Sequence, residues 1–202
     1  MNLVCFNKIA VKPKHFYMFI TLYCLSTIFS CSYVGPPREF DTEKGMAKLI
    51  KHLKRIVPKQ GGYSNLNLYH LDDLYYWDVT FAKDIKTPGK QLIYSTREGF
   101  WTKSADLIIE PDQPGWYLIS RSDFDLMKLL PMFEKSKNKI LNEKKIKDVF
   151  IERCEISVNK KQKSTDIHNA VQINITYQTK QGKTDFYFTY DINGNLTHFS
   201  SI

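Results

Sequence analysis

From Phe16 to Val34 the chain carries no charged residue, and Lys8, Lys12 and Lys14 precede this run with no acidic residue among them. A positive stretch followed by an uncharged apolar one is the order required of a segment that enters a bilayer during export. No other feature constrains the fold as much. Residues 1–30 are expected to leave as a signal peptide, so the remainder must fold outside the cytoplasm. About 170 of the 202 residues then remain, enough to bury roughly 70% of the unfolded surface without a disulfide.

The apolar run closes on Ile28-Phe29-Ser30-Cys31. These residues resemble the lipobox of bacterial lipoproteins, in which an aliphatic residue and two small ones precede an acylated cysteine. Ile28 and Ser30 fit that pattern, whereas Phe29 is bulkier than its counterpart. The resemblance implies a lipid such as palmitate on Cys31, a tether over residues 31–40, and a membrane partner reached through that anchor. Ser32 after the cysteine, rather than aspartate, implies sorting to the periplasm-facing outer membrane under the enterobacterial rule. Two other readings stay open: ordinary signal peptidase cutting after Ser32, or an uncut anchor, for which about 20 apolar residues suffice.

Cys5 and Cys24 fall in the leader, so only Cys31 and Cys154 remain in the mature chain. Cys154 alternates with Phe150, Ile156 and Val158, which places it in the core side of a strand as a small apolar thiol. The formal net charge is +8, falling to about +5 without the leader lysines. Outside the cytoplasm nucleic acid is not an expected partner; phospholipid head groups, lipopolysaccharide or an acidic protein are the relevant polyanions. Lys135, Lys137, Lys139, Lys144, Lys145 and Lys147, and again Lys160, Lys161 and Lys163, read first as solvated faces, with anionic docking as the sharper alternative.

Past the tether, Met46, Leu49, Ile50, Leu53 and Val57 fall at the spacing of one helical stripe behind an Asp41 or Thr42 cap, and Pro58 and Gly61-Gly62 end it. Tyr75, Trp77, Val79 and Phe81 alternate with polar neighbours as a half-buried strand. Further strands are expected at Gln91–Thr96, Phe100–Ile109 and Trp116–Ser120. Ser122 or Asp123 opens a second helix through Leu126, Leu129, Phe133 and Ile140, kinked or split by Pro131. Strands are then expected at Lys147–Asn159, Val171–Lys180, Thr184–Asp191 and Leu196–Ile202, with Asn193-Gly194 as a hairpin signal. The expected fold class is α+β, helices packed on curved antiparallel sheets in two α-β-β-β-β units, residues 41–121 and 122–202.

The closing stretch Phe186-Tyr187-Phe188-Thr189-Tyr190-Asp191-Ile192-Asn193-Gly194-Asn195-Leu196 resembles the last hairpin of PepSY-type and cystatin-like extracytoplasmic modules, which implies a binding or inhibitory role. Searching for chemistry yields little. No G-x-S-x-G elbow, P-loop, H-E-x-x-H or paired C-x-x-C occurs, so no catalytic residue, cofactor or metal is assigned. His70 beside Asp72 and Asp73 reads as a turn rather than a ligand cluster, and Asp191–Asn195 as a hairpin rather than a calcium loop. Aromatic residues supply the one candidate patch: Tyr76, opposite the apolar face of its strand, together with Trp101 or Trp116. The expected function is a non-catalytic envelope lipoprotein that binds a protein or an envelope component, an inhibitor or immunity role being one special case. The alternative is an envelope enzyme or small-ligand carrier, for which a pocket with clustered Asp, Glu or His would speak.

Overall fold

The computed structural model describes residues 39–71, 74–97, 100–111, 113, 115–158, 170–182 and 184–202. The signal segment, Cys31 and the tether up to residue 38 lie outside the described residues, as do Asp72, Asp73 and the Lys160–Lys163 cluster. Two α-helices are described, α1 (Glu43–Ile56) and α2 (Leu129–Lys144), the latter preceded by a 3-10 turn at Leu126–Lys128. The strands are β1 (Gly62–Leu71), β2 (Leu74–Ala82), β3 (Lys90–Arg97), β4 (Phe100–Ile108), β5 (Ile119–Ser120), β6 (Val149–Val158), β7 (Val171–Thr179), β8 (Asp185–Asp191) and β9 (Leu196–Ser201).

These strands form one nine-stranded sheet in the order β4-β3-β2-β1-β6-β7-β8-β9, with β5 alongside the start of β1. The expected fold class is thereby corrected. With 47% of the described residues in strands and two short helices, the protein is mainly β, an open antiparallel sheet, rather than an α+β assembly of two helix-on-sheet units. The physical reason is the pairing of β1 with β6, which joins Leu66 to Ile156 and Leu68 to Cys154 and leaves no break between the halves. Strand β1 has the alternation Asn65-Leu66-Asn67-Leu68, and the strand expected at Trp116–Ser120 shrinks to β5.

One face of the sheet is apolar. Trp77, Leu68, Cys154, Ile175, Phe188 and Phe199 are successive partners across six strands, and both helices contribute their apolar stripes to the same core. Cys154 sits within that row, fully buried, and burial pushes its thiol pKa up. A bulge between Ile151 and Arg153 changes the strand's parity, so Val149 and Ile151 are buried along with Cys154 and Ile156.

Local chemistry fixes the helices. The Thr42 hydroxyl accepts from the Gly45 amide at 3.1 Å, satisfying one of the unpaired donors at the start of α1. Gly45 is required there, since a Cβ would stand 1.7 Å from the Glu39 carbonyl oxygen. At the other end the Arg121 guanidinium donates to the Val57 carbonyl at 2.6 Å and to that of Lys54 at 3.3 Å, covering C-terminal acceptors with a cation that also suits the helix dipole. Pro131 lies in the first turn of α2, where its missing amide costs no intrahelical bond. Tyr177 donates to the Phe133 carbonyl and Tyr190 shares a hydrogen bond with Ser136, each 2.6 Å, pinning α2 to β7 and β8.

His52 lies on the buried side of α1, its ring 6.2 Å from that of Trp77. Burial first, then the nearby charges of Arg55, Lys48 and Lys51, lower its pKa from 6.5 to about 4. The unfolded chain therefore binds this proton before the folded one does, so stability rises with pH across the window and is lost as pH falls through it, by up to about 1.4 kcal/mol per pH unit. Urea unfolding should show the wild type losing more stability than His52→Leu between about pH 7 and about pH 4.5. Parallel losses in the two proteins would refute this assignment.

Candidate functional site

The second face of the sheet is polar, and no described helix or strand packs over it. Thr102, Ser95, Asp78, Asn67, Glu155, Asn174, Thr189 and His198 are successive partners across eight strands. Antiparallel sheets tolerate one solvated face of this kind because alternate side chains go to opposite sides. The row is tied across strands where Arg153 donates to Asn67 at 3.5 Å and Thr189 to the Asn174 side chain at 3.0 Å, while along β6 Arg153 also donates to Glu155 at 3.0 Å.

Beside this row the chemistry changes. Tyr76 pairs with Tyr69, Tyr69 pairs with Arg153, and one step further out Leu71 pairs with Leu74. By the alternation of the strands, all five belong to the polar face, at the end nearest the β1–β2 hairpin. Leu71 and Leu74 are 50% and 55% exposed. The Arg153 guanidinium stands 5.4 Å above the Tyr69 ring, a cation–π contact that holds the guanidinium flat on the surface. Partial burial raises the Tyr69 phenol pKa, against the opposing pull of Arg153. Tyrosine offers large apolar area with a polar tip and few rotamers to freeze, tyrosine and arginine are enriched at the energetic centres of protein interfaces, and Leu71 and Leu74 add exposed apolar area around them. Asp78 and Glu155 give the patch an acidic rim.

Of the three aromatic residues singled out from sequence, only Tyr76 belongs to this patch. Trp101 lies on the other face, 6.2 Å from Trp77 and packed against the core. Trp116 is half-buried in the segment after β4, where a Cβ on Gly89 would meet its ring at 3.2 Å. That turn adjoins the Ala82–Gln91 pairing, six residues along β2 from Tyr76 and so about 20 Å away. The structure thus does not bring the three together. Tyr69, Leu71, Leu74 and Arg153 enter the site only through β1, the strand not expected from sequence, and the signal that could have found it is the period-2 run Asn65 to Leu71.

Other clusters are less organised. A groove of about 480 Å³ between α2 and β6 gathers the carboxylates of Asp41, Glu43 and Glu134 with Lys137 around Phe133, Phe150 and Tyr177; this is the acidic clustering that the enzyme or small-ligand alternative calls for, with no His, Cys, Ser or Thr in the lining. His70 stacks on Tyr75 at 4.3 Å and meets the Phe150 ring edge-on at 5.1 Å, which accounts for its place by packing. Among the described residues no group of three or more His, Cys, Asp or Glu side chains could hold a metal ion. The Asp191 turn is a hairpin with Gly194 left-handed at φ 85°. Slight burial pushes the Asp191 carboxyl upward, but hydrogen bonds from Asn195, Asn193 and Gly194 outweigh it and hold the pKa below the usual range.

No family model matches the chain, and no curated protein matches it. Among solved structures, a candidate lipoprotein of Clostridium difficile 630 is similar at 10% sequence identity and a TM-score of 0.41, over 85% of this chain and 95% of that one.

If Leu74 and Tyr76 are surface residues, Leu74→Ala and Tyr76→Ala should each change folding stability by less than about 1 kcal/mol, while Trp77→Ala should cost about 3–5 kcal/mol. Denaturant unfolding of the three variants measures this directly. A Tyr76→Ala loss as large as that of Trp77→Ala would return Tyr76 to the core.

Proposed function

We propose that this protein is a binding module of the bacterial cell envelope, held to a membrane by a lipid on Cys31 and offering the Tyr69–Tyr76–Arg153 patch to a protein partner. The observation that carries the reading is the concentration of exposed Leu71 and Leu74, two tyrosines and a stacked arginine on a sheet face with no described cover. A solvated face needs none of these. Single surface leucines are ordinary, but a contiguous apolar and aromatic group marks a contact site. With Glu155 paired to Arg153, Asp78 is the rim carboxylate that favours a partner with Lys or Arg beside a central apolar contact, since rim charges steer encounter. The leader pattern and the lipobox resemblance support the anchor, and the periplasm-facing outer membrane is the location that Ser32 favours.

Two measurements test this. Metabolic labelling with a palmitate analogue should tag the wild type and not Cys31→Ala; labelling that persists in the variant would overturn the anchor. A photo-crosslinking residue at position 76, introduced in cells, should give a discrete protein adduct that one at the exposed position 51 on α1 does not. Arg153→Ala or Leu74→Ala should weaken that adduct by roughly 30-fold, as loss of a contact worth about 2 kcal/mol would. Equal adducts at positions 76 and 51, or indifference to both substitutions, would sink the patch as a binding site.

A further inference from the structure

Helix α1 covers the apolar face of the sheet, and its own outer surface is strongly basic. Lys44, Lys51, Lys54 and Arg55 are all exposed, with Lys48 half-buried between them and only Glu43 in opposition. Among the described residues no ion pair engages Lys44, Lys51, Lys54 or Arg55. The field of the α1 cations reaches inward as well, since Arg55, Lys48 and Lys51 reinforce burial in keeping His52 neutral. The carboxylates of Asp78 and Glu155 lie on the opposite side of the sheet, where Arg153 pairs with Glu155 at 3.0 Å.

We propose that the outer surface of α1 docks on anionic phospholipid head groups of the membrane that anchors the chain, so that the Tyr69–Tyr76–Arg153 patch faces away from the bilayer. The form of the surface favours this occupant. From Lys44 to Arg55 the cations follow the helix for about 16 Å, on flexible stems, with Ala47 exposed among them and no aromatic or large exposed apolar side chain to anchor a protein. Compact ammonium charges without a shaped pocket suit a mobile lattice of phosphates, and each adds about five-fold to affinity for an anionic surface. The chain outside the structure points the same way. Glu43 follows Cys31 by only 12 residues, so attachment there keeps α1 within about 40 Å of the bilayer and makes docking an effectively intramolecular event.

The test uses the full chain purified from membranes and reconstituted in vesicles of phosphatidylcholine alone or with phosphatidylglycerol, with amine acylation read by mass spectrometry. Acylation of Lys44, Lys51 and Lys54 should be slowed at least about three-fold by the anionic lipid, while Lys90 and Lys180, exposed at the ends of β3 and β7, are unaffected. The protection should vanish in about 1 M salt, where charges are screened within about 3 Å. Lys51→Gln with Lys54→Gln, both exposed, should restore acylation of Lys44. Equal rates on the two vesicle types would overturn the proposal, as would equal slowing at Lys90 and Lys180. The readout is the same whether lipid or uncut leader holds the chain to the vesicle, so it fails independently of the Cys31 anchor.

Discussion

The pairing of β1 with β6 is the constraint on which the rest of the structure depends. It joins one meander, β1 to β4, to another, β6 to β9, through five residue pairs from Asn65–Ser157 to Tyr69–Arg153. Because side chains alternate with a period of two, a slip of one residue here would turn Leu66 and Leu68 to solvent and bring Asn65 and Asn67 into the core. The register is therefore held by burial on one face alone. Leu68 and Cys154 meet at the middle of the row that runs from Trp77 to Phe199, and any other alignment would interrupt it.

Once that row is set, the helices have one place to go. α1 brings Met46, Leu49 and Leu53 to the apolar face, and α2 brings Leu129, Met132, Phe133 and Ile140. Buried polar groups are placed so that they lock the connections. Gln91, 1% exposed, accepts from Ser64 at 2.6 Å and donates to the Pro88 carbonyl at 2.8 Å and to that of Gly115. One side chain thus ties β1, the β3 turn and the segment after β4 together. Leaving such a group unpaired would cost about 1–3 kcal/mol, so the segment is held by a penalty on leaving as much as by attraction.

What could be read from sequence was whatever depends on neighbours along the chain. The α1 stripe with its Thr42 cap and the alternation of β2, β7 and β8 are all local patterns, whereas the kink or split expected at Pro131 is absent because the α-helix begins at Leu129 and places Pro131 in its first turn. Strand β1 escaped because asparagine has poor strand propensity and Gly61-Gly62 marks a stop, so no strand is expected from Ser64 to Leu71. The fold class failed for a different reason. Alternation tells which residues share a face but not which edges meet, and the decisive contact joins residues some 85 positions apart. The patch followed the same rule: Tyr76 could be assigned to the polar face from its own strand, whereas Arg153 reached it only through a register invisible in sequence, and Trp101 was lost to the core across two strand pairings.

An open sheet of this length exposes two edges as well as a face, and edges invite pairing with any extended chain. Here both outermost pairs carry a register shift, between Ile93 and Tyr94 against β4 and between Thr189 and Tyr190 against β9. Bulges add twist and break the regular spacing of free backbone groups that an incoming strand would need. The Lys103–Asp106 pair places charge along β4 in addition. With both edges irregular and one face closed by α1 and α2, the exposed leucines and half-buried tyrosines of the second face stand apart from its polar row. Their placement near the β1–β2 hairpin, next to the central pairing rather than at an edge, puts them on the best-supported part of the sheet, where little order remains to be lost on binding.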